Sequence, residues 1–94
     1  GHLLYNELWE RITIDKSYVN GRPYLTLIDG YSGFTVWRQL RNESAYEVGL
    51  NLKQIIAEYG PLDSFMSDNG TVFRGRDINQ LCQEWGVRQE YSRA

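Results

Sequence analysis

The hydrophobic period of this chain first switches from strand-like to helical at Ser44, and that change limits the folds open to it. Before it, apolar and polar residues alternate in short runs broken by glycine-bearing turns, the pattern of half-buried strands. After it, apolar residues recur at helical spacing, the pattern of helices packed by one face. A chain that starts with strands and continues with alternating helices and strands belongs to the α/β class, its later strands added by crossover connections.

Leu8 to Trp9, followed by Arg11-Ile12-Thr13-Ile14-Asp15, reads as a strand ending at Asp15. Asn20-Gly21-Arg22-Pro23 is a turn cluster, in which Asn-Gly favours a hairpin. Tyr24-Leu25-Thr26-Leu27-Ile28-Asp29 is almost continuously apolar, as a central strand is. Gly30-Tyr31-Ser32-Gly33 turns the chain again, and Phe34 to Leu40 alternates as a third strand. Three strands joined by short turns make an antiparallel meander. Ser44 and Glu47 then have the spacing of a capping box, each side chain satisfying a backbone N–H at the start of a helix. In that helix, from Ala45 to Tyr59, the residues Val48, Leu52, Ile55, Ile56 and Tyr59 share one face, and Gly60-Pro61 stops it. Tyr46 and Leu50 lie off the stripe and predict a second apolar contact, with a like subunit or another protein. Ser64 to Ser67 reads as a fourth strand. Arg76 to Trp85 reads as a second helix with Ile78, Leu81, Cys82 and Trp85 on one face, ended by Gly86. Val87 to Tyr91 reads as the last strand. The predicted order is β-β-β-α-β-α-β, a mixed five-stranded sheet in one α/β domain over residues 1–94, with Gly1-His2 taken as a tag remnant.

Ninety-four residues leave room for one core. The net charge of −2 and pI near 5.3 lack the basic footprint of an autonomous nucleic-acid binder. Arg74, Arg76, Arg88 and Arg93 nevertheless fall in the last third and are candidate phosphate contacts, or plain surface arginines. The single Cys82 excludes an internal disulfide and a cysteine zinc site, and fits a reducing compartment, nuclear or cytoplasmic. His2, in the remnant, is the only histidine, which rules out histidine catalysis and ligation. No apolar run has membrane-spanning length and no signal-like segment is expected. Seven Tyr, three Trp and three Phe are many for so short a chain, and point to an aromatic interface.

The chemistry gathers at Ser67-Asp68-Asn69-Gly70-Thr71-Val72-Phe73. Phe65 and Met66 lead in, so the segment reads as a strand tip bearing a carboxylate, a tight turn through Asn69 and Gly70, and a helix. Gly70 is expected where φ is positive. A right-handed crossover lays the fourth strand parallel beside the first, which brings Asp15 and Asp68 side by side. Asp29 ends an antiparallel strand, at the opposite end of the sheet. It is expected to serve its own turn, with Ser32, as a hydrogen-bond acceptor. Two neighbouring carboxylates repel, and an oxygen-liganded Mg²⁺ or Mn²⁺ resolves the repulsion. A pair of such ions suits phosphodiester displacement. The alternative is that Asp15 and Asp68 are turn and helix-cap residues.

Taken together, Trp9 to Asp15, Tyr24 to Phe34, Tyr59-Gly60-Pro61 and Ser67 to Phe73 resemble the catalytic core of retroviral and retrotransposon integrases. The resemblance implies a ribonuclease-H-like fold, and DNA strand transfer and 3′-end processing by two-metal, in-line transesterification. It also implies that Asp15 and Asp68 are the first and second acids of an Asp-Asp-Glu triad. The third acid of that family stands on a helix beyond Ala94. Glu84 is on a different helix, and Glu90, on the last strand, is at best an improvised substitute. Val72 stands where the family carries a polar residue. The expectation is therefore a catalytically incomplete, retroelement-derived domain that binds Mg²⁺ or Mn²⁺ weakly and acts through homodimerisation or protein association. One alternative is a fragment of an active integrase whose Glu follows Ala94. Another is a nucleic-acid-binding module without chemistry.

Overall fold

Asn20 and Gly21 both take positive φ, 52° and 78°, which is what a two-residue hairpin turn matched to strand twist requires. The turn joins β1 (Ile12–Val19) to β2 (Arg22–Asp29) and fixes their antiparallel register from Val19 opposite Arg22 to Ile12 opposite Asp29. The computed structural model describes residues 12–68 and 70–92. The expected start of the first strand at Leu8, Trp9 and Arg11 lies outside them, as do Asn69 and Arg93.

The first strand does not end at Asp15. It runs on through Lys16, Ser17 and Tyr18 to Val19, because nothing breaks β pairing until the Asn-Gly turn. The turn is correspondingly narrower than expected, and Arg22 and Pro23 belong to β2. β3 (Thr35–Gln39) pairs antiparallel with β2. Leu40, just past its end, still donates its N–H to Pro23 O at 2.9 Å.

Helix α1 (Ala45–Tyr59) crosses back over the sheet to β4 (Ser64–Ser67), which lies parallel to β1. Two helices then separate β4 from β5 (Arg88–Tyr91): α2 (Thr71–Arg74) and α3 (Arg76–Trp85). The order is thus β-β-β-α-β-α-α-β, one short helix more than expected. Gly75, extended at φ −72° and ψ 167°, separates the two helices. β5 is parallel to β4, and the five strands lie in the order β3-β2-β1-β4-β5. This is the mixed sheet that the ribonuclease-H-like resemblance implies.

Alternation decides which face carries the core. Ile12, Ile14, Leu25, Leu27, Val36 and Phe65 point to one side and meet Val48, Leu52 and Ile55 of α1 and Ile78 and Leu81 of α3 in one buried cluster. Each such side chain contributes roughly 1.5–3 kcal/mol of transfer free energy. Val72 packs against the same cluster, which accounts for an apolar residue at that position. Trp85, expected on the buried stripe of α3, is instead 43% exposed, because it stands in the last turn before Gly86 turns the chain away in the left-handed conformation. On the other side of the sheet, Thr13, Asp15, Ile28, Trp37 and Met66 remain exposed among the described residues.

Only half of the expected capping box forms. Ser44 accepts the Glu47 N–H at 3.1 Å, but the Ser44 N–H goes to Asn42 Oδ1 at 2.9 Å rather than to Glu47. The buried Glu47 carboxylate accepts from the Arg41 backbone N–H at 2.9 Å and from its guanidinium at 3.1 Å. The Arg41 N–H, then its side chain, hold the Glu47 carboxyl below the ordinary carboxylate range. A depressed acid contributes stability that is complete above its unfolded pKa, about 4.3, and is lost as pH falls through the folded value. Urea unfolding from pH 7 down to pH 3 should therefore show a falling midpoint, and Glu47→Gln should lower the pH 7 midpoint and flatten that acid limb.

Candidate functional site

The ladder between β1 and β4 is short: Ile12 opposes Phe65 and Thr13 opposes Met66. Counting on two residues from the last pair puts Asp15 and Asp68 at the same position along the two chains. The ladder has ended by then, so both acids stand where β4 parts from β1. Beyond that point β1 is held by β2, with Asp15 opposite Thr26. Asp15 is therefore a mid-strand residue and not the strand end expected from the sequence, and β4 stops beside it.

Both acids face the open side of the sheet. Asp15 follows buried Ile14, Asp68 follows buried Ser67, and both are exposed. The Asp68 carboxylate is oriented by its own turn, with Gly70 N–H donating to Oδ1 at 2.9 Å. Ser67 Oγ donates to the Asp68 carbonyl at 3.0 Å. Gly70 is not at positive φ as expected; it is extended, at φ −74° and ψ 161°. The reason for glycine here is space. A Cβ on residue 70 would lie 2.8 Å from Asp68 Oδ1, so any other residue displaces the carboxylate that the amide holds.

Asp29 lies elsewhere, at the start of the β1–β2 register. It opposes Ile12 on the buried face and is fully buried. Its carboxylate accepts from Ser32 Oγ at 2.9 Å and from Tyr31 N–H at 3.2 Å, while its own carbonyl takes Gly33 N–H at 2.7 Å. It closes the β2–β3 turn.

Two hard oxygen donors at one level suit Mg²⁺ or Mn²⁺, which take several oxygen ligands. Among the described residues, no group of three or more His, Cys, Asp or Glu could hold a metal ion. Glu84 lines a groove in the helical layer, on the far side of the sheet. Glu90 stands opposite Met66 on β5 and accepts from Arg88 Nε at 3.3 Å. Neither completes the pair.

Among the described residues, the candidate arginines do not form one patch. Arg74 and Arg76 flank the α2–α3 junction, at the end of the sheet where β4 leads into Asp68. Arg88 opposes Ser64 at the other end of β4 and is paired with Glu90. Tyr46, 65% exposed, and Leu50 line a groove of about 260 Å³ between α1 and α3 with Lys53, Asp77 and Glu84. Burial pushes the Cys82 thiol up to about 11, which leaves it a packing residue. Sequence reasoning missed Gln89 and Tyr91, which both donate to the Phe73 carbonyl from β5. Nothing in their spacing signals this, since the acceptor is a backbone atom of a helix that the hydrophobic pattern did not separate.

Residues 6–94 match the integrase core domain family. The uncharacterized protein K02A2.6 of Caenorhabditis elegans is 29% identical over 85 residues, covering 89% of this chain and 7% of its own length. The chain thus corresponds to a small part of that relative.

Alanine is compatible with the backbone angles at residue 70, so Gly70→Ala should leave thermal stability close to wild type. It should rotate the Asp68 side chain away from the residue-70 amide. A crystal structure of the variant, or loss of the downfield shift of that amide in an ¹H–¹⁵N spectrum, checks this; an unmoved carboxylate would contradict it.

Proposed function

The chain belongs to the integrase core domain family, and from that premise we propose that it is a retroelement-type integrase core in which Asp15 and Asp68 supply two oxygen ligands to a divalent cation, Mg²⁺ or Mn²⁺. The observation that supports this reading is the β1–β4 register, which, counted on two residues from Thr13 opposite Met66, matches Asp15 with Asp68, both of them exposed. When bound, such a cation supplies positive charge against the entering and leaving oxygens of a phosphodiester. Asp15 contributes its carboxylate from a strand paired along its whole length with β2. Asp68 contributes its own from a turn, with one oxygen committed to the Gly70 N–H. The sheet face around them is exposed, so an extended nucleic-acid backbone can reach the pair.

Two ligands are too few for strand transfer. The transition state of an in-line displacement carries charge that needs a fully assembled site, and no third acid joins Asp15 and Asp68 among the described residues. A further carboxylate has to come from elsewhere in a longer protein or from another chain. We therefore read these residues as catalytically incomplete when alone.

A second reading, association through the helical layer, is favoured by one observation. The α1–α3 groove presents exposed Tyr46 beside Lys53, Asp77 and Glu84. That mixture of signs around an aromatic suits an isologous contact, in which each copy offers both charges. A nucleic-acid module without chemistry is disfavoured by the net charge of −2 and by the pairing of Arg88 with Glu90.

Mn²⁺ added to ¹⁵N-labelled chain should broaden amides around Asp15, Asp68 and Gly70 first, and Asp68→Asn should abolish that selectivity. Broadening spread evenly over the surface acids would overturn the ligand assignment. The chain alone, with Mn²⁺ and a donor DNA end, should give no transferred product. Light scattering at micromolar concentrations should give a mass above the monomer that Tyr46→Glu returns to the monomer; a monomeric mass in the wild type removes the association reading.

A further inference from the structure

Four residues make a poor helix on their own, since helix formation has a costly nucleus. Helix α2 is closed by Arg74 N–H to Gly70 O at 3.1 Å and Gly75 N–H to Val72 O at 3.3 Å. The Phe73 carbonyl, near its C-terminal end, is taken up from outside. Gln89 Nε2 donates to it at 2.8 Å and the Tyr91 hydroxyl at 3.3 Å. Both donors stand on β5, Gln89 opposite Phe65 and Tyr91 opposite Ser67. The Arg74 carbonyl is likewise held by Asn79 Nδ2 of α3 at 3.1 Å. The other end of α2 is Gly70, whose N–H holds Asp68 Oδ1. Seven residues therefore run from Asp68 to Arg74 with a hydrogen bond to the acid at one end and hydrogen bonds to β5 and α3 at the other.

We infer that Gln89 is a positioning residue for Asp68. By fixing the Phe73 carbonyl it fixes α2, and with α2 the Gly70 amide that aims the Asp68 carboxylate toward the level of Asp15. The inference rests on the reading of Asp15 and Asp68 as a ligand pair, but Gln89 itself touches no ligand atom. Of the two donors, Gln89 has the shorter bond and is half-buried, whereas Tyr91 is 40% exposed. The half-buried amide donor is the stronger anchor, because its loss leaves the Phe73 carbonyl with the longer bond from the more exposed Tyr91 hydroxyl.

Charge and position predict opposite results at residue 89, which makes the role testable. Gln89→Glu keeps the shape but turns an acceptor toward the Phe73 carbonyl; Gln89→Lys keeps an N–H donor on a flexible stem. If residue 89 acted through charge alone, Glu would strengthen Mn²⁺ binding at the acid pair and Lys would weaken it. Positioning reverses that order. Gln89→Glu should weaken the apparent Mn²⁺ affinity read from broadening at Asp15 and Asp68 by about five-fold, the loss expected for one hydrogen bond, and Gln89→Lys should stay near wild type.

The metal-free spectrum gives an independent reading. In Gln89→Glu the Gly70 amide should lose its downfield shift, while the amides of Leu25, Leu27 and Leu52 keep wild-type exchange protection. Should Gln89→Glu disturb those core amides, Gln89→Met, apolar and of similar shape, decides the same question. An unmoved Gly70 amide in the well-folded variant, or Mn²⁺ affinities ordered by charge, would overturn the inference. If the wild-type chain shows no selective Mn²⁺ effect, the ligand-pair reading fails, and the Gly70 amide alone still decides whether Gln89 positions Asp68.

Discussion

Everything about the candidate site depends on the unequal pairing of β1. One edge of the strand is occupied along its full length by β2, in a register set by the Asn20-Gly21 turn. Among the described residues, the other edge pairs with β4 at Ile12 and Thr13. A sheet in which β4 matched β1 in length would bury the level of Asp15 between two ladders. Because β4 stops at Ser67, the backbone leaves the sheet there, and Asp68 is the first residue beyond it. This is the general advantage of the carboxyl ends of parallel strands as ligand sites, where chains diverge and side chains become accessible.

The one-sided core separates stability from chemistry. Ile14 and Asp15 are adjacent in sequence and point to opposite faces, the first into the cluster under α1 and α3 and the second outward. Substitutions on the outward face should perturb the core little, whereas the inward residues carry the hydrophobic free energy of a small domain with little to spare. Two acids with structural duties, Asp29 and Glu47, lie on the inward side and are buried and hydrogen-bonded. The candidate ligands Asp15 and Asp68, by contrast, are exposed.

The turn after β4 shows how a short motif can be right in identity and different in mechanism. Gly70 belongs to it for steric reasons, since a Cβ would collide with Asp68 Oδ1, and not because the backbone needs positive φ. Hydrophobic patterning also passed over α2. Its four residues are too few to display a helical period, and its fixing comes from Gln89, Tyr91 and Asn79, which are remote in sequence. Glu47 is a comparable case. Ser44 and Glu47 have the spacing of a capping box, yet the Arg41 N–H and guanidinium outcompete the Ser44 N–H for the carboxylate.

Period, turn chemistry and strand count by themselves determined the architecture: the meander, the helix from Ala45 to Tyr59 and the parallel addition of β4 and β5 are local consequences of alternation, Asn-Gly and Ser-x-x-Glu. They also make Asp15 and Asp68 the candidate pair, because parallel neighbours after a right-handed crossover have one arrangement. What only the tertiary structure decided is where the strands stop relative to one another and which remote groups hold the turns. β1 outruns β4, the arginines part to opposite ends of the sheet, and a β5 side chain anchors the turn that carries Asp68. The physical reason is range. Side-chain period and turn propensity act over a few neighbouring residues, whereas ladder length and side-chain-to-backbone anchoring are settled by atoms distant in the chain that meet only once the sheet is assembled.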